Sequence, residues 1–357
     1  MRIDLHTHSN VSDGTDSPTM LVRRAQHNGV AVVALCDHDC FDGLPEAEEA
    51  GRRFGVAVLP GIEISTHSGD ALIHLLGYGC DPWAEPLRQE LSRMRVSRAM
   101  RVDDMLTKLD ALGMHLTESE VFEQAGSATT IGRPHIADAL VAKGCVADRD
   151  EAFAKYLYNG GPAYVERETL ELGHAIDLVH EAHGVAVLAH PWIRGAADAM
   201  TPEAVSRLVH EHGLDGIEVD HPDHDQETRR MLFDLGGRLG LIRTGSSDYH
   251  GTGKSGHDIG CETSRPSALH EIAARIPARG GSLGTVPPVG AGRRGGGRVS
   301  CGHADEPEPA GTDDPVLVAP LTRPSRAPSS TQQWPPEAAL RHARRPSGPR
   351  ERTSCRK

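Results

Sequence analysis

The chain has 357 residues, a formal net charge of −12 and a hydrophobic share of 38%. That share is low for one compact globule of this length, so part of the chain is expected to lie outside any core. The acidic balance excludes a broad basic face that wraps nucleic acid nonspecifically, but bound divalent cations would still allow local phosphate binding. Seven cysteines without paired C-x-x-C spacing do not read as a disulfide framework. Cys36 and Cys40 flank a His-Asp pair and read as ordinary thiols rather than as half of a tetrahedral site. The chain opens on Arg-Ile-Asp-Leu-His, with no basic stretch before an apolar run, and no segment approaches bilayer length. The expectation is a cytoplasmic protein with no signal peptide and no membrane partner.

In chain order, residues 2–5 read as a strand. Residues 18–28 read as a helix, with Asp16 or Ser17 as cap and Pro18 in the first turn. Residues 30–36 (VAVVALC) form a continuous β-rich run suited to a strand buried on both faces. A helix over 44–54 stops at Gly55, and the next strand starts at 56–59. This alternation predicts parallel βα units. From Trp83 to about Tyr158 the strand signal vanishes, and helices are predicted over 94–112, 118–124, 134–141 and 149–156. The βα rhythm then resumes with 172–182, 185–189, 202–210, 216–219, 228–238 and 241–244. The expected organisation is an α/β domain from 1–80 and 165–278, an all-helical insertion over 81–164, and a tail over 279–357. About half of the 24 prolines lie in that tail, among Gly, Ser and Arg, and its few apolar residues have no period. A disordered tail is expected; an RNA-binding arm and a reading-frame artefact are the alternatives.

The residues that carry chemistry gather at strand ends. His6 and His8 close the first strand, two apart and so on one face. Asp13 follows in the loop. His38 leaves the second strand and Glu63 the third, His74 lies in the apolar run 71–76, and His190 ends 185–189. Asp248 and His250 follow 241–244. In parallel α/β folds the C-terminal edge of the strands is where catalytic groups collect. Imidazole and carboxylate donors without thiolate suit Zn, Mn or Fe(II), and nine donors match two or three divalent ions. Such ions generate hydroxide from bound water near neutral pH and stabilise charge on phosphoryl oxygens, so no side chain beyond metal-bound hydroxide is needed as catalyst. Phosphate ester cleavage is the reaction class this serves best; amide hydrolysis is allowed by the same logic.

The pattern DLHTHSxxSDG, then DHD, PGIEIS, a following IH, AHP and SDxH resembles the polymerase and histidinol phosphatase (PHP) family over residues 1 to about 272. It is most similar to the stand-alone branch that acts on nucleoside 3′,5′-bisphosphates and short RNA 5′ ends. The resemblance implies a distorted (β/α)7 barrel with three metals. One would be held by His6, His8, Glu63 and Asp248, a second by Glu63, His74 and His190, and a third by Asp13, His38 and His250. It also implies a nucleotide or short oligoribonucleotide as substrate, with no stable nucleic-acid complex. In the insertion, Gly132-Arg133-Pro134-His135 at a helix start resembles the family's Arg-containing turn, which marks Arg133 and His135 as substrate-binding. His221 and His224 follow the strand 216–219 to the same edge and complete that set. A histidinol-phosphatase-type phosphomonoesterase and a non-catalytic metal-stabilised binding module are the rival readings.

Overall fold

The computed structural model describes residues 1–126, 128–193 and 196–287, all within one compact unit. Most of the expected tail lies outside the described residues. The first strand, β1 (Arg2–Thr7), is followed by α1 (Pro18–His27), β2 (Val30–Leu35) and α2 (Leu44–Phe54). Ser17 caps α1 by accepting the Met20 N–H, and Pro18 occupies its first turn, where no intrahelical N–H is lost. Gly55 ends α2 at φ 70°, a conformation that costs glycine no Cβ clash. β1 and β2 pair in parallel, as do β2 and β3 (Ala57–Ser68). Among the described residues no helix is long and apolar enough to cross a membrane.

The third unit departs from the purely parallel expectation. β3 runs on for twelve residues and turns back through Gly69 and Asp70 into the antiparallel β4 (Ala71–Tyr78). The two-residue loop needs a positive φ, and Gly69 supplies it at 58°. The consequence for function lies in direction. Because β4 runs against its neighbours, a residue early in β4 sits at the edge where the parallel strands end.

The sheet order is β1-β2-β3-β4-β6-β7-β8, with the short β5 (Leu170–Glu171) pairing β3. After β5 come α7 (Leu172–Glu181), β6 (Val185–Ala189), α8 (Pro202–His212), β7 (Gly216–Asp220), α9 (Gln226–Leu239), β8 (Ile242–Gly245) and α10 (Pro266–Arg279). The two ends of the order meet: Thr7 and Tyr249 form a parallel bridge, and the Ser264 N–H donates to Ile3 O. The fold is thus the expected α/β type, a parallel-rich, barrel-like sheet with helices outside. One apolar cluster fills the inside of β1, β2, β4, β6 and β8 and packs on α10 through Ile272 and Ile276. Ordered chain continues past the expected boundary at 279, because the Thr285 N–H donates to Val58 O and Leu283 and Val286 join that cluster.

The helical insertion consists of α3 (Glu85–Ala111), α4 (Glu118–Ala125), α5 (Arg133–Ala142) and α6 (Arg149–Ala152), whose path continues as a π-helical turn over Phe153–Leu157. Its 27 residues make α3 about 40 Å long, and the helix belongs to two cores. Leu87, Leu91 and Met94 pack into the barrel cluster with Ile176 and Leu188. Val102, Met105 and Leu109 pack into a separate cap cluster with Ile136, Leu140 and Leu157. The switch between cores falls inside one helix, so no composition break marks it in the sequence.

Candidate metal centre

Each of the nine donor residues reaches the same sheet edge by its own route. His6 lies on β1 and His8 just beyond its end. The β3–β4 register pairs Glu63 with Leu76 and Ser65 with His74, and β4–β6 pairs His74 with Ala189, next to His190. A bridge between His38 and Glu63 brings the β2 loop to β3. All nine are buried or nearly so.

Glu63 is the hub. Its Oε2 lies 3.2 Å from His6 Nε2, 3.1 Å from His8 Nε2 and 3.2 Å from His38 Nδ1. Its Oε1 lies 2.7 Å from His74 Nδ1 and 3.1 Å from His190 Nε2. Asp248 Oδ1 faces His6 and His8 at 3.6 and 3.4 Å and His250 Nδ1 at 3.5 Å. Asp13 stands 3.4 Å from His250 Nε2 and 3.7 Å from His38 Nε2. Four sets therefore have ligand atoms within 4.8 Å of one another: His6, His8, Glu63 and Asp248; His8, Asp13, His38 and His250; His38, Glu63 and His74; and, beside Asp248, His221, Asp248 and His257. Of the sets the resemblance implies, the first has the same four residues; in the second His38 stands where His190 was expected, and in the third His8 joins Asp13, His38 and His250.

The contacts fit cations better than a hydrogen-bonded network. The His6 and His8 Nε2 atoms face each other at 3.0 Å. The Nδ1 atoms of His6, His8, His38 and His74 are buried without a close hydrogen bond, although those of His38 and His74 lie near Glu63 and that of His6 faces Glu218 at 3.4 Å. Buried polar groups left unmatched are costly, and lone pairs converging on a common point are what a coordinated ion requires. No cysteine among the described residues enters these sets, and the five described cysteines are unpaired. Charge divides the donors. Burial alone would raise the Glu63 carboxyl, but His74, His38 and His6 outweigh it and hold it well below the usual range. Burial pushes the His38 imidazole down to about 3 and His74 to about 4, so both keep free lone pairs at neutral pH. For His8, the Asp248 and Glu63 carboxylates overcome burial and raise it to about 9.

Backbone strain is concentrated here. Among the described residues four non-glycines have positive φ, and three lie in this edge: Asp39 at 54°, His190 at 25° and Asp248 at 48°. Such conformations cost on the order of 1 kcal/mol or more each and persist where the surroundings hold them. The Glu218 carboxylate does so for His190 by accepting its backbone N–H at 2.9 Å.

Glu218 was missed in the sequence, although a carboxylate inside the otherwise apolar run 216–219 was a usable signal. Fully buried, its Oε1 lies 3.4 Å from His6 Nδ1. Lys254 was not among the expected site residues either; its Nζ lies 2.6 Å from Asp248 Oδ2. Of the residues expected to bind substrate, His135 accepts the Gly132 N–H at 3.1 Å and lines a cleft of about 440 Å3 with Asn10, Gly14, Asp138 and Arg149. Arg133 donates to Leu157 O and Asn159 Oδ1, both at 2.8 Å, and lies over the Phe153 and Tyr164 rings. His221 is buried beneath the site: its Nδ1 accepts the Asp223 N–H, so in the neutral ring Nε2 carries the proton, 3.3 Å from Asp248 Oδ2. His224 donates from Nδ1 to Val219 O at 2.9 Å, and its Nε2 is buried without a partner.

Residues 4–132 match the family described as PHP domain. The chain is 35% identical over 280 residues to a 3′,5′-nucleoside bisphosphate phosphatase of Chromobacterium violaceum, covering 78% of this chain and 97% of that one. It is 36% identical over 261 residues to a 5′-3′ exoribonuclease of Haemophilus influenzae, covering 70% and 90%. A structure from Bifidobacterium adolescentis, classed as a metal-dependent phosphoesterase, superposes with a TM-score of 0.73 at 34% identity, over 76% of this chain and 96% of that one. With relatives of this identity matched over nearly their whole length, the chain belongs to the PHP family of metal-dependent phosphoesterases.

Proposed function

We propose that the protein hydrolyses a phosphate monoester or diester on a nucleotide, most simply the 3′-phosphate of a nucleoside 3′,5′-bisphosphate or the 5′-terminal nucleotide of a short oligoribonucleotide. The observation that carries this reading is the Glu63 carboxylate, buried and met by five imidazoles within 3.2 Å. His6, His8, Asp13, His38, Glu63, His74, His190, Asp248 and His250 would hold two or three divalent cations, with Mn, Zn or Fe suited to the donors. When bound, such cations polarise a phosphoryl oxygen and make coordinated water acidic enough to attack it. The protein's own groups set the stage. Glu218 faces His6 Nδ1 at 3.4 Å and so favours the ring orientation that leaves Nε2 directed at the cluster. His221 holds Asp248 from below and so acts as a positioning residue. On the cap side, His135 lines the cleft between α5 and the loop after β1; Arg133, His135 and His224 are assigned to the substrate's distal part.

Phosphate release from adenosine 3′,5′-bisphosphate, AMP and a 5′-phosphorylated RNA oligomer, measured with added Mn²⁺, tests this. Release from the bisphosphate well above AMP, abolished in His8→Ala, is expected. Turnover of histidinol phosphate with indifference to the nucleotides would favour the small-molecule reading. Absence of any turnover with two or three ions bound would leave a binding module.

A further inference from the structure

The cap grips the donor loops at their backbone. Arg149, largely buried at the start of α6, is held by Asp138 of α5, whose carboxylate accepts from its Nε and Nη2, both at 2.5 Å. That two-point contact fixes the guanidinium and leaves Nη1 to donate to Asp13 O at 3.2 Å. The same guanidinium lies against Gly253, where any Cβ would collide with it. Thr130, buried, donates from Oγ1 to His38 O at 3.1 Å, and the Thr129 N–H donates to Val11 O at 2.9 Å. Since α5 and α6 share a core of their own with α3, these bonds tie one packed body to the loops of another.

The contacts converge on one donor set. Among the described residues Asp13 and His250 belong only to the group formed with His8 and His38, and Arg149 touches the loops of both. Those loops are also tied to each other: the Thr15 N–H donates to His250 O at 3.1 Å, and the Thr252 N–H to Thr15 Oγ1 at 2.9 Å. His38 is shared, its Nε2 standing 3.7 Å from Asp13 and its Nδ1 3.2 Å from Glu63. In each case the grip falls on the peptide unit that follows a donor. The Gly14 N–H donates to Ser9 O at 2.9 Å and the Asp39 N–H to Glu63 O at 3.0 Å, both bonds internal to the barrel. Arg149 and Thr130 take the carbonyl ends of the same two units. A peptide held at both ends cannot swing, so the side chain before it keeps its direction toward a cation. The barrel supplies one half of that hold and the cap the other.

We propose that Arg149, seconded by Thr130 and Thr129, is a positioning residue through which the cap completes one cation site, that of His8, Asp13, His38 and His250. His6, Glu63, His74, His190 and Asp248 are carried by the barrel strands or their ends and do not need it. This rests on the reading of the donor edge as cation-binding and adds that its sites are unequal. Affinity at the Asp13 and His250 site depends on a seated cap, and by linkage a cation there holds the cap down in return.

The test is titration of the full chain, stripped of metal, with Mn²⁺, reading free ion by electron paramagnetic resonance and bound ion by elemental analysis. Wild type is compared with Arg149→Met, Arg149→Lys, Thr130→Val and Thr130→Ser. Loss of a bond behind a metal ligand costs about 10–100-fold in affinity. Arg149→Met and Thr130→Val should therefore each weaken the same class of ion by about tenfold or more and leave the rest unchanged. Thr130→Ser keeps the hydroxyl and should match wild type, and Arg149→Lys should recover part of the loss. Arg149→Met leaves Asp138 unpaired, so Thr130→Val, which keeps the shape of the side chain, separates lost positioning from misfolding. In His250→Ala, which already lacks a donor of this set, Arg149→Met should cost no further ion; in His74→Ala it should cost another. Hydrogen exchange at the Thr129 amide should slow when Mn²⁺ is added, and slow less in Arg149→Met. Uniform weakening of every ion, or no weakening of any with a Thr129 amide indifferent to Mn²⁺, would overturn the proposal. A wild type that binds no Mn²⁺ removes the cation reading and this proposal with it. Selective loss of one ion in a protein that turns over no nucleotide leaves the proposal standing and removes the nucleotide reading.

Discussion

Asp215 offers a way to separate what holds the barrel from what performs its chemistry. It precedes β7, at the edge opposite the donors, and its buried carboxylate accepts five bonds: from His180 Nε2 at 2.9 Å, Ala186 N at 3.0 Å, Arg275 at 2.9 Å, and Arg279 twice, at 2.7 and 2.8 Å. One carboxylate thus joins α7, β6 and α10. In Asp215→Asn the shape is kept, but the amide must turn its own N–H groups toward other donors. Breaking a buried ion pair from one side costs about 3–5 kcal/mol. Arg275 and Arg279 are each about a third exposed and recover hydration, which places the loss near the low end, about 3 kcal/mol. For a barrel of this size that corresponds to a fall of about 6 °C in the thermal midpoint. Burial alone would raise the Asp215 carboxyl, but bonds from His180, Arg279 and the Ala186 N–H outweigh it and hold it well below the usual range. A depressed folded value stabilises above the unfolded value of about 3.9 and is lost as pH falls toward the folded one. The deficit of the variant should therefore be constant from pH 8 to about 5.5 and shrink below about pH 4. Urea unfolding of both proteins without metal at pH 7, 5.5 and 3.5 measures it. Metal stoichiometry and kcat should hold in Asp215→Asn at 20 °C. A deficit under about 1 kcal/mol, or loss of metal binding in step with stability, would refute the division of labour between the two edges.

Three further outcomes follow from the donor edge. Glu63→Gln removes the one charge shared by five imidazoles, so bound metal, read by elemental analysis, should fall by at least one ion and phosphate release should vanish. Glu218→Gln leaves the first ligands in place but frees the His6 ring; metal affinity, followed by competition with a chromogenic chelator, should drop about 10–100-fold with near-native circular dichroism. Removal of metal from wild type should lower the thermal midpoint, and Mn²⁺ should restore it with a concentration dependence set by its affinity; a midpoint indifferent to chelator would contradict ligation by buried groups.

Much of the sheet edge was legible because the physics there is local. Caps such as Ser17, stops such as Gly55 and the β-rich run 30–36 are short-range signals, and a string of His and carboxylate residues at the ends of such runs serves no packing purpose. One strand pair stands outside the parallel βα rhythm, since Ser68-Gly69-Asp70 between two apolar runs encoded a hairpin that the rhythm masked. His74 reaches the donors through that reversal. Glu218 escaped notice because a fully buried acid in a strand depends on a partner 212 residues away in sequence, His6, which no window spans. The extent of α3 was similarly hidden: one continuous helical period serves two cores, and only packing shows where the first gives way to the second.

The residues between the donors also have a common purpose. Asp4 accepts the Ser247 N–H at 3.0 Å and its Oγ–H at 2.6 Å. Asp37 accepts the Ser9 N–H at 2.8 Å and its Oγ–H at 2.7 Å, and Asp39 treats Ser65 in the same way at 2.8 and 3.0 Å. Each acid belongs to one strand or its loop, and each serine to the adjacent one, beside His8, two past Glu63, or beside Asp248. A two-point contact fixes both position and orientation of the peptide it grips, where a single bond would allow it to pivot. Three such clamps join β8 to β1, β1 to β2 and β2 to β3, so that the donors are set by buried bonds before any cation arrives. This accounts for the cost carried by positive φ at Asp39 and Asp248: both lie where a clamp meets a donor, and the clamp supplies the energy that holds the strained turn. Preorganisation of this kind is what keeps like charges and bare lone pairs together in a buried site, and it makes the acid–serine pairs as necessary to the chemistry as the histidines they support.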